Sequence, residues 1–563
     1  MNSTLPRLHL EKNLGIGLMV TTLALAPTLA IDPINPPKFL ALVSFAALLG
    51  GQLLISKSLW DFKTFRIAYF LSLTFALLLI LNLFFTSGDV WRKLFGAFGR
   101  NTGVLTYFAL LTLLIVSFAA AKGSNLTKVS NYIKWTGAVS LAYGLIQFIG
   151  LDPFDWSNPY SPVFGFLGNP NFHSSFVAMF AVMTFTNFLS SGNSSKVRLI
   201  YLGITLLSLG SIYTTKSQQG FLVFAAGILI PGYVFLRNRL NRIQRITAYS
   251  FVLMMGFGSI LGMLQIGPLA KFLYKESVTY RGDYWNAGWG MAMENPLLGV
   301  GFDQYGNWYR RFRSLEATLR RGPEMTSNAA HNVFIDFAAS GGFILLCVYI
   351  AFVVLTIKAI TKILRNSNLD SKEVIAIIGM WVAYQAQSVI SINQIGLAIW
   401  GWVLSGLIIG YSMSLGKDDS SKNDVTKNVG PRIKSPSVQT LGASQFMFSL
   451  LFFLVGAVIS APVLLSSINY KNALESSNQE KIVASAFLKP YEETRMGEVA
   501  LILNQNNLNK ESLALTQKIV ARYPDSFEGW RLISQLSPEG SEEKAQAIRE
   551  MKRLDPLNPD IQN

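Results

Sequence analysis

Cysteine occurs once in the 563-residue chain, as Cys347 within an apolar run, which excludes an internal disulfide and a thiolate metal site. Histidine occurs only at His9, His173 and His331, too few for a multi-histidine zinc centre. There is no GxxxxGK[ST] loop, so the usual machinery of nucleotide hydrolysis is missing, and no Asp-x-Asp triplet is available to a divalent cation. Neither a cofactor nor a metal is expected. Charged residues make up only 14% of the chain, against 51% hydrophobic ones, and the mean hydropathy is +0.36. That balance excludes an ordinary soluble enzyme and fits a polytopic membrane protein.

The net charge of +16 could suggest nucleic acid, but its distribution points elsewhere. From Tyr470 onward 12 Lys and Arg face 14 Asp and Glu, so the positive excess lies in the apolar part, in the loops between its runs. No nucleic-acid partner is expected; membrane lipids are.

Runs of membrane length recur from 13–31 to 446–466 and imply about thirteen spanning helices. Arg7 and Lys12 precede the first run and Ala24-Leu25-Ala26 lies within it, a pattern shared by cleaved signals and uncleaved anchors; the dozen further runs favour an anchor. Basic residues such as Lys63, Arg66, Lys122, Lys128, Arg198, Arg242, Lys358 and Lys362 fall in alternate loops. The positive-inside rule makes those loops and the N-terminus cytoplasmic. The polar insertion 267–331 then faces outward.

The expected organisation is therefore all-α. Residues 1–415 form a polytopic bundle, 416–445 a cytoplasmic linker, 446–466 a last span, and 470–563 an extracytoplasmic helical domain. In that domain Lys510–Arg522 is amphipathic and Trp530 falls on an inward position. Tyr523-Pro524-Asp525 is followed about one 34-residue TPR period later by Asp555-Pro556, which suggests TPR-like hairpins or a plain helical bundle.

Chemistry concentrates in five phrases: Gly96-Ala97-Phe98-Gly99-Arg100-Asn101-Thr102-Gly103, Gly165-Phe166-Leu167-Gly168-Asn169-Pro170-Asn171, Arg281 with Trp285, Asn295-Pro296-Leu297-Leu298-Gly299-Val300-Gly301, and Ala330-His331-Asn332 ahead of an apolar run with Gly341-Gly342. In this order, over residues 90 to 410, they resemble the O-antigen ligase family of bacterial membrane proteins. The resemblance implies a metal-independent glycosyltransferase in the cytoplasmic (inner) membrane. Its donor would be a glycan on polyprenyl diphosphate, and its acceptor a hydroxyl of a glycan, lipid or protein. Ligases and polymerases share this chemistry, so the resemblance does not separate them. The C-terminal helices, outside the resemblance, could recruit an acceptor or an envelope protein.

The residues support the same chemistry. Breaking a sugar–diphosphate bond leaves negative charge on an anionic group, which calls for fixed positive charge. Guanidinium stays protonated and grips phosphate with two N–H groups. Arg281 is assigned to the diphosphate and Arg100 to a second contact, against the alternative of arginines snorkelling at helix ends. His331 is the candidate base for the acceptor hydroxyl. Asn332 either orients that ring or caps the next helix. Where the family has a Ser-Arg pair this chain has Lys216, a point charge.

Asp283 either positions the acceptor or forms a loop salt bridge. Arg310 and Arg311, within a group that includes Arg313, Arg320 and Arg321, guide anionic substrate or touch anionic lipid. The aromatic residues Trp285, Tyr305, Trp308, Tyr309 and Phe312 stack on sugar or lie at the bilayer surface. Asn169 sets a turn and offers a sugar contact. A small-anion transporter, bicarbonate-like, is the alternative. Its polar residues would be Gln385, Gln387, Ser388 and Asn393, all uncharged, whereas transport sites usually carry ionisable groups within spans. A non-catalytic envelope scaffold ranks third.

Overall fold

Backbone in hydrocarbon must satisfy its own N–H and C=O groups, and an α-helix does so within one segment, so the long apolar runs become helices. The computed structural model describes residues 4–56, 59–156, 161–237, 239–263, 267, 271, 276–366, 371–415 and 443–562. Most of the expected linker, 416–442, lies outside the described residues.

Among the described residues the chain is all-helical, without strands. The first part comprises α1 Thr4–Leu23, α2 Asn35–Ile55, α3 Phe62–Phe85, α4 Val90–Phe95, α5 Val104–Ala121, α6 Thr127–Phe148, α7 Pro170–Leu189, α8 Ser195–Thr214, α9 Gln219–Gly227, α10 Leu229–Leu236 and α11 Arg242–Met263. The insertion contributes α12 Glu276–Glu294, α13 Tyr305–Phe312 and α14 Leu315–Arg321. Then come α15 Val333–Arg365, α16 Lys372–Ser388, α17 Ile395–Ser412 and α18 Ala443–Glu475. The chain closes with α19 Gln479–Ser485, α20 Glu493–Gln505, α21 Asn509–Arg522, α22 Phe527–Leu536, α23 Glu542–Leu554 and α24 Pro559–Gln562.

Nine helices among the described residues are long and apolar enough to cross a membrane: α2, α3, α5, α7, α8, α9 continued by α10, α15, α17 and most of α18. About thirteen were expected. The remaining four expected spans fall on α1, α6, α11 and α16, all of them helical; α16, for example, has 17 residues. The span α17 is the centre of the bundle, with 89% of it buried, while α8 and α18 are only 22% buried and offer their sides to lipid. Gly406 and Gly410 let α17 lie against α5: a methyl group there would stand 2.5 Å from Leu114 O and from Phe118 O.

Hydrogen bonds sort the connections into two ends. At one, Glu11 accepts from Ser124 and from the Lys128 and Val129 backbone, and Lys122 pairs with Asp61. At the other lie the segments around 31–35, 96–103, 165–169 and 392–394, together with the insertion. Against that end sit α19 to α24, each packed on its chain neighbour, as in a stack of helical hairpins. Trp530 is buried there with Phe527, Ile533 and Met551, so its inward position holds.

Candidate active site

The long helix α15 is broken early. Gly342 has φ 75 and ψ 175, outside helical values, which strands carbonyls in the preceding turn. The phrase from Asn295 to Gly301 fills the gap: Val300 N–H donates to Ala339 O (2.8 Å), Gly301 N–H to Ser340 O (3.1 Å), and Phe343 N–H to Pro296 O (2.8 Å). A side chain at Gly342 would begin 2.5 Å from Leu297 C, so the glycine serves both the break and the close approach. Asn82, buried in α3, staples both partners by donating to Leu298 O (2.7 Å) and Ser340 O (2.8 Å) and accepting from Phe302 N (3.2 Å).

This brings Asp303 onto the 96–103 loop. Its carboxylate accepts from the Ala97 and Thr102 backbone N–H groups and from Thr102 Oγ1, at 2.7 to 3.0 Å. The loop so held presents Arg100, whose Nη1 donates to Asn328 Oδ1 at 2.8 Å, three residues before His331.

His331 stands in a left-handed conformation, φ 54, uncommon for a residue other than glycine. Ala330 N–H donates to Asp336 Oδ1 at 2.7 Å and fixes the loop beneath it. Its ring stacks on Tyr284 of α12, centroids 5.2 Å apart. Burial lowers its pKa from 6.5 to about 3, helped by the positive charges of Arg100, Arg281 and Arg321. The imidazole is thus neutral, beside three guanidiniums. None of the three forms an ion pair among the described residues. Arg100 bonds to Asn328, Arg321 bonds to Tyr284 Oη and lies over Tyr280, and Arg281 Nε is buried without a partner.

Residues 203–350 match the family model described as O-antigen ligase. The chain carries an O-antigen ligase domain. No curated protein matches it. The ligase domain runs from α8 into α15 and takes in Arg281, Arg321 and His331, while Arg100, Asn169 and helices α19 to α24 fall outside it. With its membrane-length helices, this points to a multi-pass membrane protein and supports a relation to glycan transferases of the ligase and polymerase type.

Of the other candidates, Arg310 and Arg311 are paired, while Asp283 and Asn332 take the salt-bridge and capping alternatives already expected of them. Arg310 and Arg311 do not stand open to substrate: Arg310 pairs with Glu528 (2.9 Å) and Asp555 (3.3 Å), and Arg311 with Asp525 (3.4 Å). They dock the C-terminal helices onto the ligase domain, because those helices offer carboxylates at the same level. Asp283 binds neither Arg281 nor a free acceptor position; both its oxygens accept from Arg320, at 2.8 and 2.6 Å. Asn332 caps α15, accepting from Phe334 and Ile335 N–H, so its oxygen is spent on the helix start.

Lys216 is exposed at the α8–α9 turn with φ 58. Trp285 is half-buried, with its Nε1 lacking a partner, against the Tyr284, Tyr305 and Tyr309 cluster. Tyr305 and Tyr309 are core residues of that cluster, not a sugar platform. Asn169 caps α7 through Asn171 N–H (2.8 Å) and lines a cavity described below. His173 is fully buried against Gly144 and Gly165.

The sequence reading missed Asp303 as the anchor of the Arg100 loop, Asn82 as the staple, and Arg321 as the third cation. Asn82 carried a signal, a lone carboxamide in a 24-residue apolar helix. Arg321 carried none that set it apart from its paired neighbours.

Proposed function

We propose that the protein transfers an oligosaccharide or polysaccharide from a polyprenyl diphosphate carrier to an acceptor hydroxyl, as ligase or polymerase, at the outer face of the cytoplasmic membrane. The observation that carries this reading is the neutral His331 among three guanidiniums, none of which forms an ion pair among the described residues.

Such a cluster is matched to a diphosphate. Arg281, Arg321 and Arg100 hold its oxygens, and the same contacts strengthen as charge grows on the leaving oxygen. His331 takes the proton of the acceptor hydroxyl while that oxygen bonds to the anomeric carbon. The carbon–oxygen bond to the diphosphate breaks, and its electron pair leaves with polyprenyl diphosphate. An imidazole of pKa about 3 is a weak base; burial, the larger cause, remains, but the bound diphosphate offsets the contribution of the arginines and moves the pKa upward. The base is therefore strengthened by the donor it serves.

The deciding experiment compares lipid-linked glycan pools in cells carrying His331→Ala, wild type and a deletion at matched protein levels. Accumulation of the polyprenyl-linked glycan with loss of finished glycoconjugate is expected in both mutants. An unchanged pool in both overturns the reading and moves small-anion transport to the front.

A further inference from the structure

A cavity of about 370 Å³ lies between the segments around 31–35, 98–102, 167–169 and 392–394, at the low end of volumes that hold small ligands. Two of the phrases singled out in the sequence, around Arg100 and around Asn169, supply parts of its wall. Nothing in the transfer chemistry derived above uses it, except that Arg100 belongs both to this wall and to the His331 cluster.

The wall is built of carboxamides. Gln394 Nε2 donates to Asn35 Oδ1 at 3.3 Å, while Gln394 Oε1 is buried without a partner in a residue only 6% exposed. Asn35 Nδ2 is held by Asp32 and Gly99 O, and Asn169 uses its oxygen on the α7 cap, which leaves its amide nitrogen as a donor. Phe98 and Phe172 supply apolar faces.

A phosphate site presents donors and positive charge alone. A hydroxyl both gives and accepts, so a sugar ring needs acceptors and donors side by side, with apolar surface for its C–H faces. Here Gln394 Oε1 and the Asn169 amide provide the two kinds, and the Asp32 carboxylate on the same wall disfavours an anion.

We propose that this cavity binds a neutral sugar ring, the donor residue attached to the diphosphate, so that Arg100 marks the boundary between sugar and phosphate. The assignment rests on the transfer reading above. It makes Gln394, Asn35 and Asn169 determinants of which donor sugar is accepted.

The test uses the full chain in lipid nanodiscs with glucose, galactose, N-acetylglucosamine, glucose 1-phosphate and inorganic pyrophosphate as probes, followed by saturation-transfer and phosphorus NMR. At least one neutral hexose binds the wild type. Gln394→Leu, which removes the unpartnered Oε1 acceptor as well as the bond to Asn35, weakens that binding by about five- to ten-fold. Pyrophosphate binds wild type and Gln394→Leu equally, which also shows that the variant is folded, and fails with Arg281→Ala.

Glucose 1-phosphate binds at least about ten-fold more tightly than glucose, and Arg100→Ala removes that gain. Absence of hexose binding while pyrophosphate binds, or hexose binding undiminished in Gln394→Leu, overturns the sugar cavity and leaves the transfer reading standing. Equal affinity for glucose and glucose 1-phosphate overturns its assignment to the donor in favour of the acceptor sugar. Failure of pyrophosphate to bind the wild type counts against the transfer reading itself.

Discussion

Arg313 Nη2 and Asp555 Oδ2 lie 2.5 Å apart, in a pair whose side chains are 1% and 0% exposed. Asp555 also takes Arg310 Nη1, so one carboxylate in the C-terminal helices serves two guanidiniums of the ligase domain. A buried pair of this kind adds little net stability when intact, but removing one partner leaves uncompensated charge at a cost of about 3–5 kcal/mol. Asp555→Ala is therefore expected to release α19 to α24 from the ligase domain. Limited proteolysis should cut beyond α18 in the variant and spare the wild type. The double variant Asp555→Leu/Arg313→Met should recover much of the protection.

The broken helix α15 is the second point of vulnerability. Gly342→Ala places a methyl group against Leu297 and forces a non-glycine residue to φ 75, so the variant is expected to accumulate poorly and unfold at lower temperature. Asn82→Leu keeps the branched shape but takes the side-chain donor from Ser340 O, which retains Gly301 N–H, and from Leu298 O, where an unsatisfied buried carbonyl costs about 1–3 kcal/mol. Thermal unfolding in detergent measures both. A melting point unchanged by Asn82→Leu would show that the carbonyls find other donors.

The three unpaired arginines are distinguished from their paired neighbours by kinetics. Arg281→Ala and Arg321→Ala are expected to lower transfer by about 10²–10³-fold, the usual loss when a donor to developing charge is removed. Arg281→Lys restores part of it, since a point charge replaces the fork. Arg531→Ala, whose pairs with Glu324 and Glu528 lie toward solvent, leaves the rate within error. Equal losses in all these variants would mean general damage and no assigned phosphate site.

These contrasts show what was legible in the sequence. The apolar runs around α2, α5, α7 and α17 announced themselves because helix length and bilayer thickness are tied to one another. The phrase from Asn295 to Gly301 and the pair Gly341-Gly342 were readable as special backbone, and they prove to be partners in one helix break. Arg310 and Arg321 could not be told apart, because charge type says nothing about the partner. The carboxylates that claim Arg310 lie more than 200 residues away, in helices whose docking no local pattern encodes. Asp303 was visible as an acidic residue near the motifs, but its three bonds to the Arg100 loop depend on how two distant loops meet.

The pH dependence follows from His331. Its folded-state pKa, about 3, lies below its ordinary 6.5, so the folded protein binds fewer protons than the unfolded chain between those values. The stability gained from the neutral ring is present above 6.5 and is lost as pH falls toward 3. His331→Ala should flatten that part of the stability profile. For transfer, kcat/KM reports the free enzyme, in which the base is neutral throughout, so it should show no His331 inflection between about pH 5 and 8. The profile of kcat reports the donor complex, in which the diphosphate offsets the arginines; kcat should therefore fall on the acid side at a higher pH than the free enzyme would give. Steady-state rates across this range decide the matter. An acid limb in kcat/KM at the same pH as in kcat would mean that burial and the arginines do not hold the imidazole down in the free enzyme, and that donor binding does not strengthen the base.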